Sequence, residues 1–198
     1  MICLLAVLAM STGERTLVFV RHGETLANST GHYDSATIDR FSAKGSNEVA
    51  ALTTWLERQP RFDEILVSPS PRALRTIAPY LQATHQRAVV WPLLYECCTG
   101  PRSRDARPTR FSYGARIEIP RELSGLFTIE SGEQRLPVAE DYNAGLAQVA
   151  AARRAFQMSF KGGRVLMVGH SGMGGHFLHD LTGRWTKLEN ATPVTVKL

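Results

Sequence analysis

The run Thr16-Leu17-Val18-Phe19-Val20 constrains the fold more than any other stretch of the chain. Five β-branched and apolar residues in succession read as a strand buried on both faces. It passes directly into Arg21-His22-Gly23-Glu24-Thr25. In open α/β sheets ligands bind at the carboxyl ends of the strands, and a glycine there allows close backbone approach. His22, beside Arg21, is therefore placed to meet an anion. A lone His at a strand end more often does nothing further. What sets His22 apart is that three later strands end in a comparable way.

After this strand, Leu26 to Arg40 is polar and rich in Ser, Thr, Asp and Gly, and reads as a loop over the strand end. Asn28 lies close enough in sequence to reach back to the same anion, or else serves as a turn residue. A helix is expected from Gly45 to Arg58, with Val49, Leu52 and Leu56 on one stripe and Gln59-Pro60 as its stop. Ile65-Leu66-Val67, within Phe62 to Val67, forms the second buried strand. It leads into Ser68-Pro69-Ser70-Pro71-Arg72, where Ser70 suits an N-cap and Pro71 a first helical residue. Arg72 then sits in a helical first turn, where unpaired N–H groups and the dipole favour an anion. Leu74, Ile77 and Leu81 supply the buried stripe, and Pro79 should kink or restart this helix.

Ala88 to Trp91 is the third strand, and the chain leaves it through Pro92-Leu93-Leu94-Tyr95-Glu96, which sets a carboxylate on the same sheet edge. Tyr142, Leu146, Val149, Phe156 and Phe160 mark the cleanest helix, read as core and ended by Gly162-Gly163. Arg164 to Gly169 is the fourth strand and delivers His170-Ser171-Gly172. A helix through Phe177, Leu178 and Leu181 follows, and Pro193 to Leu198 adds an edge strand. Strands alternating with helices at these lengths predict a mostly parallel sheet with helices on both faces. Arg21, His22, Arg72 and His170 would converge on a dianion. Glu96 cannot bind that dianion and is left to handle a proton.

Length and composition bound the rest. The 198 residues, 43% hydrophobic and 21% charged, suit one soluble domain with a sizeable core. A net charge of +5 favours acidic partners, but no recognition motif or basic-aromatic stripe points to nucleic acid. Between Thr99 and Arg116 there are five arginines and one acid. Residues 99–137 read as a long basic insertion or lid, because loops of that length are uncommon unless they bind or cover something. Within it Arg102, Arg104, Arg107 and Arg110 are either solvated or select substrates with negative charge beyond a phosphate.

Cys3, Cys97 and Cys98 make neither a disulfide framework nor a zinc site. A reducing compartment, hence the cytoplasm, is the simpler reading. Residues 1–10 are apolar like a signal-peptide core, but lack a basic leader and are too short to span a bilayer. They are expected to pack on the domain, within an extension over residues 1–15; a signal remnant on an exported protein is the alternative.

Taken together, Arg21-His22-Gly23-Glu24-Thr25 with Asn28, Ser68-Pro69 with Arg72-Ala73 and Thr76, Leu94 with Glu96, and Val168-Gly169-His170-Ser171-Gly172 resemble the histidine phosphatase superfamily, the phosphoglycerate mutase-like enzymes. The resemblance spans about residues 16 to 185. It implies a three-layer α/β/α fold and a phosphatase without metal or cofactor, acting on a phosphorylated small molecule or phosphoprotein. It also implies that His22 takes the phosphoryl group, while Arg21, Arg72 and His170 clamp it with help from Asn28 and Ser171. Glu96 becomes the proton donor, with Asp105 and Glu118 as fallbacks. Cys97-Cys98 and the arginines after them depart from the tract that mutase members carry there. The rivals are a mutase-type phosphotransferase, a non-catalytic phospho-ligand module and a serine hydrolase. The last is suggested by Gly169-His170-Ser171-Gly172, whose next residue is Met173 where a nucleophile elbow wants Gly.

Overall fold

A computed structural model describes residues 14–98, 112–130 and 134–198. The apolar N-terminal decapeptide, Asp105 and the four arginines from Arg102 to Arg110 lie outside the described residues. Six strands, β1 (Arg15–Arg21), β2 (Glu64–Val67), β3 (Ala88–Val90), β4 (Phe127–Ile129), β5 (Gly163–Gly169) and β6 (Pro193–Lys197), form one sheet in the order β4-β3-β2-β5-β1-β6. Neighbours are parallel except β6, which runs antiparallel to β1 as the expected edge strand. The helices are α1 (Leu26–Thr30), α2 (Ala43–Glu57), α3 (Pro71–Thr84), α4 (Tyr142–Ser159) and α5 (Ser171–Thr182).

Because the central strands are apolar throughout, alternate residues feed two cores. Val18 and Val20 of β1, with Ile65, Val67, Leu166 and Val168, pack against Leu52 and Leu56 of α2 and Leu74, Ile77 and Leu81 of α3. Leu17 and Phe19, with Leu66, Val165 and Met167, pack against Val149 and Phe156 of α4 and Met173 and Phe177 of α5. Full burial of such a side chain stabilises by about 1.5–3 kcal/mol. Apolar residues on both sides of each strand thus fix a helical layer on each face, and the fold is the expected three-layer mixed α/β arrangement.

Several expectations change. The stretch read as a loop begins with α1, because Thr25 and Asn28 form a capping box and Gly31, at φ 73°, closes the turn. Its polar composition hid it. Helix α3 runs through Pro79 without restarting. A proline inside a helix costs roughly 3 kcal/mol, which the burial of Leu74, Ile77, Tyr80 and Leu81 exceeds. In α4 Leu146 is 37% exposed, and Gly145 and Gln148 are buried in its place. That helix ends at Ser159, and Gly163, at φ 85°, opens β5 instead of stopping the helix. Strand β4, only three residues long, was not legible within the 99–137 insertion.

Candidate active site

The parallel strands end level: Val67 pairs with both Val90 and Val168, and Arg21 pairs with Gly169. The residues just beyond therefore face one another. The His22 amide donates to the Gly169 carbonyl at 2.9 Å, and the His22 carbonyl accepts from Asn190 Nδ2 at 2.8 Å. Gly23 permits a close approach to helix α2: a Cβ there would lie 2.7 Å from Val49 Cγ2.

His22 is 4% exposed, and its Nδ1 lies 2.8 Å from the Gly23 carbonyl oxygen. A carbonyl can only accept, so Nδ1 carries the ring proton and the lone pair is on Nε2. Arg72, delivered by the first turn of α3, donates from Nε to that His22 Nε2 at 3.3 Å and from Nη2 to His170 Nδ1 at 3.3 Å. The proton of His170 is thus on Nε2, which donates to Ser68 Oγ at 2.7 Å, with Ser70 Oγ at 3.1 Å. The two imidazoles stand 5.2 Å apart, edge to face. Burial first and the Arg72 guanidinium second hold both rings well below the usual histidine range. Both are neutral, each with a lone pair facing a cation.

Arg21 donates from Nη1 to the Leu188 carbonyl at 3.2 Å, and its buried Nε has no partner. Glu96 follows the tight turn Pro92–Leu94 and is 6% exposed. Its Oε1 accepts from the Met173 amide of α5 at 2.9 Å and from the Cys97 amide at 3.1 Å. Burial pushes this carboxyl above the usual carboxylate range, against the pull of those amides and of Arg72. The site thus holds an uncharged nucleophilic nitrogen, guanidinium donors and a carboxyl biased toward its protonated form.

The other expected residues are placed less centrally. Asn28 Oδ1 accepts from the Thr25 amide and hydroxyl, each at 3.1 Å, as part of the α1 cap. Ser171 opens α5, and no described hydrogen bond joins it to a histidine, since both His170 nitrogens are engaged elsewhere. Glu118 is exposed and lines a cleft of about 390 Å³ together with Asp39, Ser70, Arg72, Tyr95 and Arg116.

Four contributors escaped the sequence reading. Ser68 entered only through the Ser68-Pro69 resemblance and Ser70 as an N-cap, yet Ser70 makes no capping bond and turns its hydroxyl to His170. Asp39 Oδ1 accepts from both the Arg72 amide at 3.2 Å and Arg72 Nη1 at 3.1 Å, so the anion at the start of α3 comes from the chain itself. Gln148, buried on α4, donates to the carbonyls of Leu93 at 3.0 Å and Tyr95 at 2.8 Å, bracing the turn that carries Glu96. Only the Ser-Pro-Ser spacing could have hinted at the serines; Asp39 and Gln148 arrive from distant segments. Among the described residues no group of three or more His, Cys, Asp or Glu is arranged to hold a metal ion. Nor is any helix among them long and apolar enough to cross a membrane.

The family model described as histidine phosphatase superfamily (branch 1) matches residues 17–193. No curated protein sequence matches the chain. Among solved structures, phosphoglycerate mutase from Bacillus anthracis is similar at a TM-score of 0.63 and 19% identity, covering 94% of this chain and 88% of its own. The alpha-ribazole phosphatase from Shigella flexneri is similar at 0.59 and 22%, covering 91% and 89%. A phosphoserine phosphatase mutant from Entamoeba histolytica, in complex with phosphoserine, follows at 0.58 and 17%, covering 91% and 89%. At these identities the likeness establishes a shared fold.

Proposed function

The chain belongs to the histidine phosphatase superfamily (branch 1), and on that premise we propose that it hydrolyses phosphomonoesters through a phosphohistidine on His22. Its relatives share chemistry on phosphate esters. The observation that carries the finer reading is the His22 Nε2 lone pair, fixed by the Nδ1–H bond to Gly23 and facing Arg72.

In this reading Nε2 attacks phosphorus in line with the ester oxygen. The P–O bond breaks as the P–N bond forms, and Glu96 gives its proton to the departing oxygen. The Arg72 N–H groups now aimed at the imidazoles, together with the unpartnered Arg21 Nε, take the phosphoryl oxygens, and the His170 ring positions Arg72 Nη2 for that task. Buried cationic donors stabilise the spreading charge of the transferred group. Glu96, now a carboxylate, then removes a proton from water, which attacks phosphorus and frees Nε2. Asn28 and Ser171 assist at the rim. The charge is supplied by side chains, so the reaction needs no metal.

Hydrolysis is favoured over phosphoryl relay because Cys97-Cys98 and the arginines after them replace the tract that mutase members carry. The substrate is a phosphorylated small molecule or phosphoprotein, met in a reducing compartment such as the cytoplasm. Release of phosphate from an aryl phosphate, measured with and without EDTA for the wild-type protein and His22→Asn, tests the reading. Turnover unaffected by EDTA and abolished by the substitution is expected. Full activity in His22→Asn, or loss of wild-type activity in EDTA, overturns it.

A further inference from the structure

Cys97 and Cys98 take no part in the proposed phosphoryl transfer, yet their placement is unusual. They directly follow Glu96, and their sulfurs lie 2.9 Å apart. Cys98 adopts a φ of 62°, a left-handed backbone that disfavours side chains other than Gly, Asn or Asp. Such an outlier persists only where the surroundings over-determine it. Here α4 does so: a Cβ on Gly145 would sit 2.7 Å from Cys98 Sγ, so only a glycine leaves room for the pair. Cys97 is fully buried, Cys98 is partly exposed, and both are free thiols. The Cys97 amide also donates to Glu96 Oε1 at 3.1 Å, tying the pair to the carboxyl.

We propose that Cys97-Cys98 is an oxidative modification site, at which hydrogen peroxide converts the two thiols to a vicinal disulfide that displaces the Cys97 amide from Glu96. The consequence for Glu96 rests on the proton-donor role proposed above; the modification itself does not. Cys98, the more accessible of the two, reacts first. Its thiolate attacks the peroxide, the O–O bond breaks, and a sulfenic acid and one water result. Cys97 then loses its proton and attacks the Cys98 sulfur, the S–O bond breaks, and a second water leaves. Two thiols are oxidised by two electrons while one peroxide is reduced to two waters. The hydrogen bond with Cys98 and burial hold the Cys97 thiol well above the usual range, which keeps it from reacting with the peroxide itself and leaves the first step to Cys98.

The product is reversible by its geometry. Adjacent Cα atoms are about 3.8 Å apart, closer than the roughly 4.4–6.8 Å of ordinary disulfides, and strain makes such a bond more reducible. The small ring encloses the Cys97–Cys98 peptide and must reorient it. The bond from the Cys97 amide to Glu96 is the first casualty. Loss of a positioned proton donor is felt by esters with poor leaving groups and spared by those with good ones.

The test uses the full chain carrying Cys3→Ser, treated with hydrogen peroxide. Intact mass and free thiols are read beside turnover of an alkyl and an aryl phosphate. The expected result is loss of two hydrogens and of both thiols. The alkyl rate should fall by roughly ten-fold or more, with the aryl rate little changed and dithiothreitol restoring both mass and rate. Cys98→Ser should keep its activity and show no such loss of mass. If that variant folds poorly, Cys98→Gly, which suits the left-handed backbone, replaces it. An unchanged mass, gain of oxygen without thiol pairing, or a disulfide that leaves the alkyl-to-aryl ratio unaltered overturns the proposal. Absence of aryl turnover in the reduced protein would instead overturn the phosphatase reading, because the mass readout stands apart from it.

Discussion

The Nδ1–H of His22 is bonded to the carbonyl of the next residue, Gly23, at 2.8 Å. A contact this local settles which ring nitrogen can act. It leaves the lone pair on Nε2, the nucleophile of the proposed reaction, with Arg72 at 3.3 Å as the only cation directly on it among the described residues.

The pH profile of kcat/KM should be displaced on both sides. Protonation of His22 removes the lone pair, and burial with Arg72 lowers its pKa from 6.5, so the acid limb should fall below the ordinary histidine range. Deprotonation of Glu96 removes the proton donor, and burial raises its pKa from 4.5, so the alkaline limb should fall above the ordinary carboxyl range. Glu96→Gln should abolish that alkaline limb, which ionisation of the substrate could not mimic. An acid limb at the ordinary histidine value would contradict the neutral, buried His22.

Ser68→Ala and Ser70→Ala together should misplace His170. Its Nε2–H would lose both acceptors, at 2.7 and 3.1 Å, and an unmet buried donor costs about 1–3 kcal/mol. Binding of inorganic phosphate or vanadate, measured by competition, should weaken by roughly ten-fold or more, with each single variant milder because the partner serine remains. Unaltered binding in the double variant would mean that the serines do not orient the ring.

Gln148→Leu keeps volume but removes both bonds to the turn before Glu96. The expected loss is in kcat, larger for alkyl than for aryl phosphates, with KM little changed. Gln148→Glu should lie between, because its protonated form can restore one of the two bonds. Equal losses for both ester classes would indicate a general packing defect.

Two glycines should respond with opposite sign. A Cβ on Gly45 would lie 1.9 Å from the Glu24 carbonyl oxygen, a backbone clash, so Gly45→Ala should destabilise by about 1–3 kcal/mol or more. Gly175, within α5, has nothing within 4 Å of such a Cβ, so Gly175→Ala should be neutral or stabilise by up to about 1 kcal/mol. Urea denaturation of both variants decides the matter.

The sequence made the strand ends legible because buried parallel strands are apolar without interruption, and β1, β2 and β5 stop abruptly at a charged or polar residue, whereas β3 runs on through Trp91-Pro92-Leu93-Leu94 before Glu96. His22, Arg72, Glu96 and His170 could be picked out in this way, since each stands within six residues of a strand end. What stayed hidden depends on long-range packing. Asp39 reaches Arg72 from a loop 33 positions away, and Gln148 reaches Tyr95 across 53. The helical stripe of α4 was misjudged at Leu146 for the same reason: the face chosen for burial is the one that receives the Glu96 turn. Helix α1 was missed because its capping box uses Asn28 where the common pattern has Glu or Gln.

The most direct measurement is rapid-quench trapping of the enzyme with a phosphate ester carrying labelled phosphorus, followed by mapping of the labelled peptide. The account predicts an acid-labile, base-stable adduct on His22 that forms and decays at rates compatible with turnover. It should be absent in His22→Asn and should accumulate in Glu96→Gln when an aryl phosphate is supplied, because the second step then lacks its base. Turnover without any adduct, or label on Ser171 or another residue, would contradict it.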